Sequence, residues 1–182
     1  IKVEMEFLKV PVTKAKIYFK QPDKMKMESE GFALIPKQGF DLSPQKLLNF
    51  DFTAIYINSE KIDSIECHKI KIVPNSDSTD IVLSTLWIDK SDLVIRKIES
   101  TSKSAGNFNI NLDYANKKPL PKQIVISFNL SSSQIADAIA MQTEGKKPKK
   151  KKMIGTVTIT YNNYDVNIGL EDEFFEEEEK SE

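Results

Sequence analysis

The stretch from Ile81 to Leu130 constrains the fold most, because its polar and apolar side chains alternate. The pattern is cleanest between Asn107 and Tyr114, where asparagine and aspartate separate aliphatic and aromatic residues. Successive side chains on a β-strand point to opposite faces, so this period of two indicates strands with one buried face. Turn-type sequences at 90–92, 103–106 and 116–122 divide the stretch into four segments. Short connections of this kind join antiparallel neighbours, and the stretch is therefore predicted to be a β-meander.

The chain before the meander shows the same alternation in residues 1–10 and 14–20, and again around 24–28. Each of these segments has one charged face and one apolar face, which is typical of a half-solvated antiparallel sheet. Residues 52–57 fit either a strand or a loop, 59–63 resemble a turn, and 66–73 form a further strand. After the meander, Met153 to Tyr161 is predicted to be the last long strand, with one more short pairing within residues 162–175.

Two short helices are expected among these strands. Ser43 is a favourable N-cap and Pro44 suits the first helical position, so a helix of about two turns begins there. Ser131 and Gln134 have the spacing of a capping box, which favours a second helix ending near Gly145. A flexible apolar loop is the alternative for that second segment.

About nine or ten amphipathic strands must bury their apolar faces, and two short helices cannot cover so large a flat sheet. The sheet must fold into a sandwich or curl into a barrel or half-barrel, and a curled sheet with little helical filling leaves room inside. Met is flexible and adapts to variable contents, so an inward Met-rich set suits an apolar ligand, although a filled core is the alternative. The residues predicted to line this acyl cavity are Met5, Phe7, Ile17, Phe19, Met25, Met27, Phe108 and Ile110.

Catalytic and metal-binding patterns are missing from the sequence. It holds one histidine, His68, and one cysteine, Cys67, and neighbours on a strand face opposite ways. No nucleophile elbow, phosphate-binding loop or dinucleotide-binding motif is present. A zinc site would need mostly carboxylates, and the turn acids Asp77, Asp80, Asp89 and Asp92 lack calcium-loop spacing. We therefore expect no enzyme activity, metal or cofactor.

Charge gives one local signal. The 26 basic and 27 acidic residues nearly cancel, and aromatic residues do not interleave with the lysines, so nucleic acid is not expected as a partner. No apolar run approaches the roughly 20 residues of a membrane span. Six lysines within 146–152 follow an apolar segment, a composition that favours contact with an anionic membrane or an acidic partner. The residues assigned to this contact are Ile135, Ile139, Met141, Lys149, Lys150, Lys151 and Lys152, and a solvated hairpin tip is the alternative.

Three parts of the chain resemble a known family: Tyr18-Phe-Lys-Gln-Pro-Asp-Lys-Met-Lys-Met, the Ser43-Pro44 helix start, and Leu86-Trp-Ile-Asp followed by Leu93-Val-Ile-Arg. They are similar to the periplasmic outer-membrane lipoprotein carriers of the LolA/LolB-like family, in a divergent bacterial branch. The resemblance covers about Val3 to Phe175 as one domain within residues 1–182, followed by an acidic tail at 176–182.

The resemblance implies a mainly β fold, in which a curved antiparallel sheet forms an open half-barrel with a few short helices as lid. It implies a non-catalytic carrier for lipid or lipoprotein acyl chains, in the periplasm or at the outer membrane, exported by a signal sequence since removed. It also implies a long N-terminal helix ahead of Ile1. Lys26 occupies the place of a basic residue, often Arg, that helps the family's carriers hold the lid closed. The alternative is a closed β-domain that serves cell-envelope adhesion or assembly without a ligand cavity.

Overall fold

The computed structural model describes residues 1–5, 8–9, 11–21, 24–30, 50–104, 106–114, 120–130 and 153–175. These residues form eleven β-strands and one 3-10 helix, η1. In chain order they are β1 (Lys2–Met5), β2 (Leu8–Lys9), β3 (Lys14–Lys20), β4 (Lys24–Glu30), β5 (Phe52–Ile62), β6 (Ile65–Pro74), β7 (Ile81–Asp89), β8 (Ile95–Ser102), β9 (Gly106–Asp113), β10 (Gln123–Leu130), β11 (Met153–Thr160) and η1 (Asp172–Phe175).

Nine of the strands form one antiparallel sheet in the order β2-β1-β11-β10-β9-β8-β7-β6-β5. Strands β3 and β4 form a separate two-stranded sheet, called the hairpin below. Because β2 and β5 lie at opposite edges, the large sheet stays open and does not close into a barrel. The predicted mainly β class with an open antiparallel sheet is confirmed. The two predicted helices begin at Ser43 and Ser131, outside the described residues.

The meander predicted between Ile81 and Leu130 is confirmed as β7 to β10, with each strand paired to the next. Aliphatic side chains lie directly opposite one another across seven strands and form one row, called the aliphatic row below. Its members, in order across the sheet, are Val3, Val157, Ile126, Ile110, Ile98, Leu86 and Ile70. All but Ile70 are buried in the core cluster, and each buried aliphatic side chain contributes about 1.5–3 kcal/mol.

Two local predictions were wrong. Residues 59–63 are not a turn, because β5 continues to Ile62 and the chain reverses at Asp63 and Ser64. The polar end of β5 remains paired with β6, and an ion pair of 2.8 Å from Lys69 Nζ to Glu60 Oε2 also joins the two strands. The short pairing expected within 162–175 is not formed either: the described residues there contain η1 and no strand.

Gly155 makes room for the Phe128 ring where β11 pairs with β10. A Cβ atom on Gly155 would lie 2.5 Å from Phe128 Cε2, so the ring occupies the space of a side chain. The close approach explains glycine in the interior of a strand.

We predict that Gly155→Val lowers the free energy of unfolding by about 1–3 kcal/mol, because the Phe128 ring must leave its position. Chemical denaturation measures the change. In a Phe128→Leu background the same substitution should cost clearly less. Equal costs in the two backgrounds would show that the ring contact does not explain the glycine.

Candidate functional site

The hairpin presents an apolar face that remains open to solvent. In its register Ile17 lies opposite Met27, and Phe19 lies opposite Met25, so the four side chains share one face. We call them the hairpin apolar face. Ile17, Phe19 and Met25 are 37–40% exposed.

The charged face of the same hairpin is held by the segment 170–175. Lys20 Nζ lies 2.6 Å from Asp172 Oδ1 and donates a 2.7 Å hydrogen bond to the Leu170 carbonyl oxygen. Lys24 Nζ lies 2.9 Å from Asp172 Oδ2. These contacts, together with those of Lys26, form what we call the C-terminal tie.

Lys26 and Tyr18 complete the C-terminal tie around Phe174. Lys26 Nζ donates to the Phe174 carbonyl oxygen at 2.8 Å and lies 4.5 Å from the centre of its ring. The Tyr18 ring meets the same ring edge to face, with centroids 4.7 Å apart. Lys26 of the hairpin therefore contacts the segment 170–175 through both its charge and its hydrogen bond.

The ionisation of the C-terminal tie follows its geometry. Hydrogen bonds from Lys20 and Lys24 lower the pKa of the Asp172 carboxyl to about 2. The hydrogen bond between Tyr18 and the Glu28 carboxylate raises the pKa of the Tyr18 hydroxyl. The Asp172 carboxylate therefore stays ionised at neutral and mildly acidic pH.

The residues predicted for the acyl cavity fall on two sheets. Ile17, Phe19, Met25 and Met27 form the hairpin apolar face, whereas Met5, Phe108 and Ile110 lie on β1 and β9 of the large sheet. Ile110 is buried in the core cluster, and Phe108 packs against that cluster. Phe7 lies outside the described residues. A single cavity lined by all eight stays a prediction, since no pairing between described strands joins the two sheets.

The predicted membrane or partner contact lies outside the described part of the chain. This applies to every residue assigned to it between Ile135 and Lys152. The acidic tail from Glu176 onward also lies outside. Asp172, which precedes that tail and is among the described residues, forms ion pairs with Lys20 and Lys24 of the hairpin.

Trp87 is enclosed on the face of the large sheet opposite the aliphatic row. Lys69 Nζ and Lys97 Nζ lie 4.9 and 4.7 Å from the centre of its ring system, and the side chain is only 4% exposed. The hydrogen bond from Lys69 lowers the pKa of the Glu60 carboxyl, and the indole N–H of Trp87 points into the same region. That N–H makes no hydrogen bond of ordinary length and angle. Trp87 thus fills a structural position and offers no open ring to a ligand.

Asp89, predicted from the sequence only as a turn acid, forms a buried ion pair with Arg96. Arg96 Nη2 and Nε donate to Asp89 Oδ2 at 2.7 and 3.0 Å, and the backbone N–H groups of Ser91 and Asp92 donate to Oδ1. Burial alone would raise the pKa of the Asp89 carboxyl, but these hydrogen bonds outweigh it and lower the pKa.

An open cleft of about 620 Å³ lies beside this pair, lined by Ser64, Glu66, Lys90 and Asp92 among others. Its lining is polar and charged, which does not suit an acyl chain. The hairpin apolar face is therefore the better candidate for an apolar ligand.

Catalytic chemistry has little support among the described residues. Cys67 lies opposite Asp89 and His68 opposite Ile88, so the two neighbours point to opposite faces of β6 as expected. Burial raises the pKa of the Cys67 thiol, which makes it a poor nucleophile. Within the described ranges, no group of three or more His, Cys, Asp or Glu residues could hold a metal ion.

Comparison with known proteins gave three solved structures. One is an outer membrane lipoprotein-sorting protein domain from Vibrio parahaemolyticus, at 11% identity and a TM-score of 0.45, covering 84% of this chain and 63% of that one. A DUF1329 family protein from Desulfovibrio piger is 16% identical with a TM-score of 0.45, over 90% of this chain and 69% of the other. A LolA superfamily protein from Nitrosomonas europaea is 16% identical with a TM-score of 0.39, over 70% and 50%.

Two of these descriptions name lipoprotein sorting or LolA, as the sequence resemblance did. At such low identities and TM-scores, the likeness carries no argument about what this chain binds. No protein-family model and no curated protein matches the chain. Among the described residues, no helix is long and apolar enough to cross a membrane.

We predict that Asp172→Asn loosens the C-terminal tie, because Lys20 and Lys24 lose their shared carboxylate. Amide hydrogen exchange within 14–30 should become faster, while Glu173→Gln, which removes a neighbouring charge, should leave it unchanged. The pKa of Asp172 is lowered by folding, so its contribution is full above about pH 4, the ordinary pKa of an aspartate, and is lost as pH falls towards about pH 2. Unchanged exchange in Asp172→Asn would mean that the C-terminal tie does not hold the hairpin.

We predict that Arg96→Met lowers the free energy of unfolding by about 3 kcal/mol at neutral pH, because Asp89 is left buried without its cation. The Asp89 pKa is depressed in the folded parent, so the parent's advantage is full above about pH 4 and shrinks as pH falls. Denaturant titrations at neutral and acidic pH measure this gap. Lys2→Met, which removes the exposed pair with Glu4, is the control and should cost under about 1 kcal/mol. A gap that stays constant with pH would contradict the assignment.

Proposed function

We propose that this protein is a non-catalytic carrier that binds the acyl chains of a lipid or lipoprotein, with the hairpin apolar face as part of the binding surface. The observation that supports the proposal most is the orientation of the hairpin. Its charged face is held by the C-terminal tie, while Ile17, Phe19 and Met25 remain more than a third exposed.

This orientation has an energetic cost in the absence of a ligand. Each exposed apolar side chain forgoes a free energy of burial of about 25 cal/mol per Å². The side chains of Met25 and Met27 are unbranched and polarizable, so they adapt to acyl chains of different length and shape. A flexible, open apolar surface of this kind is suited to a ligand that must be taken up and released.

The proposed carrier function also implies a cellular location and a way of reaching the membrane. A carrier of acyl chains for the outer membrane would act in the periplasm or at that membrane, after export by a signal sequence. The sequence resemblance to the LolA/LolB-like carriers supports this location. In the transfer step, the apolar segment and lysines within 131–152 would contact an anionic membrane surface, as their composition suggests.

We predict that the parent protein binds a fluorescent fatty-acyl probe and that Phe19→Asp weakens binding at least tenfold. A carboxylate at this position would have to be desolvated beside the acyl chain without a cationic partner. Fluorescence titration measures the affinity. Phe19 is partly exposed, so the substitution should leave the fold intact, and circular dichroism checks this.

Two matched variants sharpen the test. Phe19→Leu keeps an apolar side chain and should retain most of the affinity. Val166→Asp places the same charge on an exposed apolar residue outside the hairpin, and should bind the probe like the parent. If Phe19→Asp binds as tightly as the parent, the hairpin is not the binding surface. If the parent does not bind the probe, the carrier proposal fails and the adhesion or assembly alternative is favoured.

A further inference from the structure

Strand β5 forms an open edge of the large sheet. No described strand pairs with its outer side. Every residue from Phe52 to Lys61 is exposed, and Phe52, Ile55, Tyr56 and Ile57 are 37–58% exposed. From Phe52 to Ser59 the strand contains no charge and no proline. Soluble proteins usually protect an edge strand with charged residues or proline, so an edge strand that lacks both indicates a docking site.

The backbone groups that point outward can be assigned. The Asn75 N–H donates to the Asp51 carbonyl oxygen at 2.9 Å, and these residues continue the register of β5 with β6. In an antiparallel pair, hydrogen-bonded and non-bonded residue pairs alternate. Thr53 and Ile55 therefore bond to β6, whereas the N–H and C=O groups of Phe52, Ala54 and Tyr56 point to the open edge.

A β-bulge at Ile57 limits the usable edge. The register with β6 shifts between Tyr56 and Asn58, which leaves Ile57 without a partner. A bulge bends and twists a strand, so pairing beyond it is disfavoured. The regular part of the edge is therefore Phe52 to Tyr56, with three sets of free backbone groups.

We propose that this edge pairs with the same edge of a second copy of the chain, antiparallel about a two-fold axis at Ala54. In this register Ala54 meets Ala54 of the other copy, and the outward backbone groups at 52, 54 and 56 meet one another. Phe52 lies opposite Tyr56, an aromatic pair on the face of the aliphatic row. Thr53 lies opposite Ile55, a β-branched pair on the other face.

The chemistry of the segment favours a second copy over a different partner. A two-fold operation brings aromatic side chains onto aromatic side chains, which is a stabilising cross-strand combination. No like charges are brought together within Phe52 to Tyr56. An axis through Ala54 also matches the alternation of hydrogen-bonded and non-bonded pairs. The three residues whose backbone groups point outward, Phe52, Ala54 and Tyr56, then all form hydrogen-bonded pairs with the other copy. Five paired residues make a small interface, so the dimer should be weak and reversible.

Pairing would join the two large sheets into one, with the faces that carry the aliphatic row continuous across the axis. Tyr56 lies opposite Ile70, the last member of that row, and would meet Phe52 of the second copy. The dimer does not depend on the proposed carrier function, since the hairpin lies in a separate sheet.

The test is sedimentation equilibrium of the parent and three variants from low micromolar to near-millimolar concentration. Ala54→Pro removes one outward N–H, and proline is tolerated on an edge strand where its nitrogen faces away from the neighbour. Tyr56→Lys adds a charge to the edge. Val82→Lys places the same charge on an exposed valine of β7 and serves as the control. We expect the parent and Val82→Lys to dimerise equally, and the two edge variants to dimerise at least tenfold more weakly.

A cross-link tests the register. Residues of a hydrogen-bonded antiparallel pair have Cα atoms about 5.5 Å apart, which suits a disulfide. Ala54→Cys should therefore form a disulfide dimer under mild oxidation, whereas Lys61→Cys, far from the axis on the same strand, should not. The parent controls for Cys67, which is fully buried. The proposal is overturned if the parent stays monomeric at all concentrations, which is the result expected if the edge instead pairs with a strand of another protein. Efficient cross-linking of the Lys61→Cys variant would also overturn it.

Discussion

The aliphatic row joins strands that are far apart in the sequence. Val3 at the start of the chain lies opposite Val157 near its end, and Ile126 connects that pair to the meander. Since antiparallel partners face the same side of a sheet, one aliphatic residue per strand at the correct register aligns the strands. A slip by one residue would turn a strand's apolar set to the other face, so the row also fixes the register.

The hairpin differs from the large sheet in which of its faces is covered. In the large sheet the apolar face is buried and the opposite face is polar, with Lys69 and Lys97 covering Trp87. In the hairpin, the charged face is engaged by the segment 170–175 and the apolar face is open. Cationic side chains, an acid and an aromatic ring hold the hairpin by its polar side, and its apolar side remains partly exposed.

The two edges of the large sheet also differ. Strand β2 has two residues, whereas β5 has eleven, of which those before the bulge present uncharged, partly apolar side chains. The bulge at Ile57 and the charges of Glu60 and Lys61 protect only the far end of β5. Protection of one half and exposure of the other suit a short, specific pairing better than unlimited association.

The sequence alone determined most of the strands, whereas its alternation left a sandwich, a barrel and a half-barrel as possible ways to bury their apolar faces. Alternation from Ile81 to Leu130 identified four strands, because a period of two has one structural interpretation when turns bound each segment. It failed at 59–63, where polar residues resemble a turn but pair with β6. It also missed the partner of Asp89, because Arg96 reaches Asp89 only when β7 and β8 fold together.

Tertiary structure alone decided which apolar faces are buried. The same alternation in β3 and β9 predicted one shared cavity, yet β9 joins the large sheet, and β4 is the one described strand that pairs with β3. Period-two patterning states that a strand has an apolar face, but it does not state what that face meets. That is settled by contacts between distant residues, here Asp172 with Lys20 and Lys24, which a pattern of neighbours in sequence does not contain.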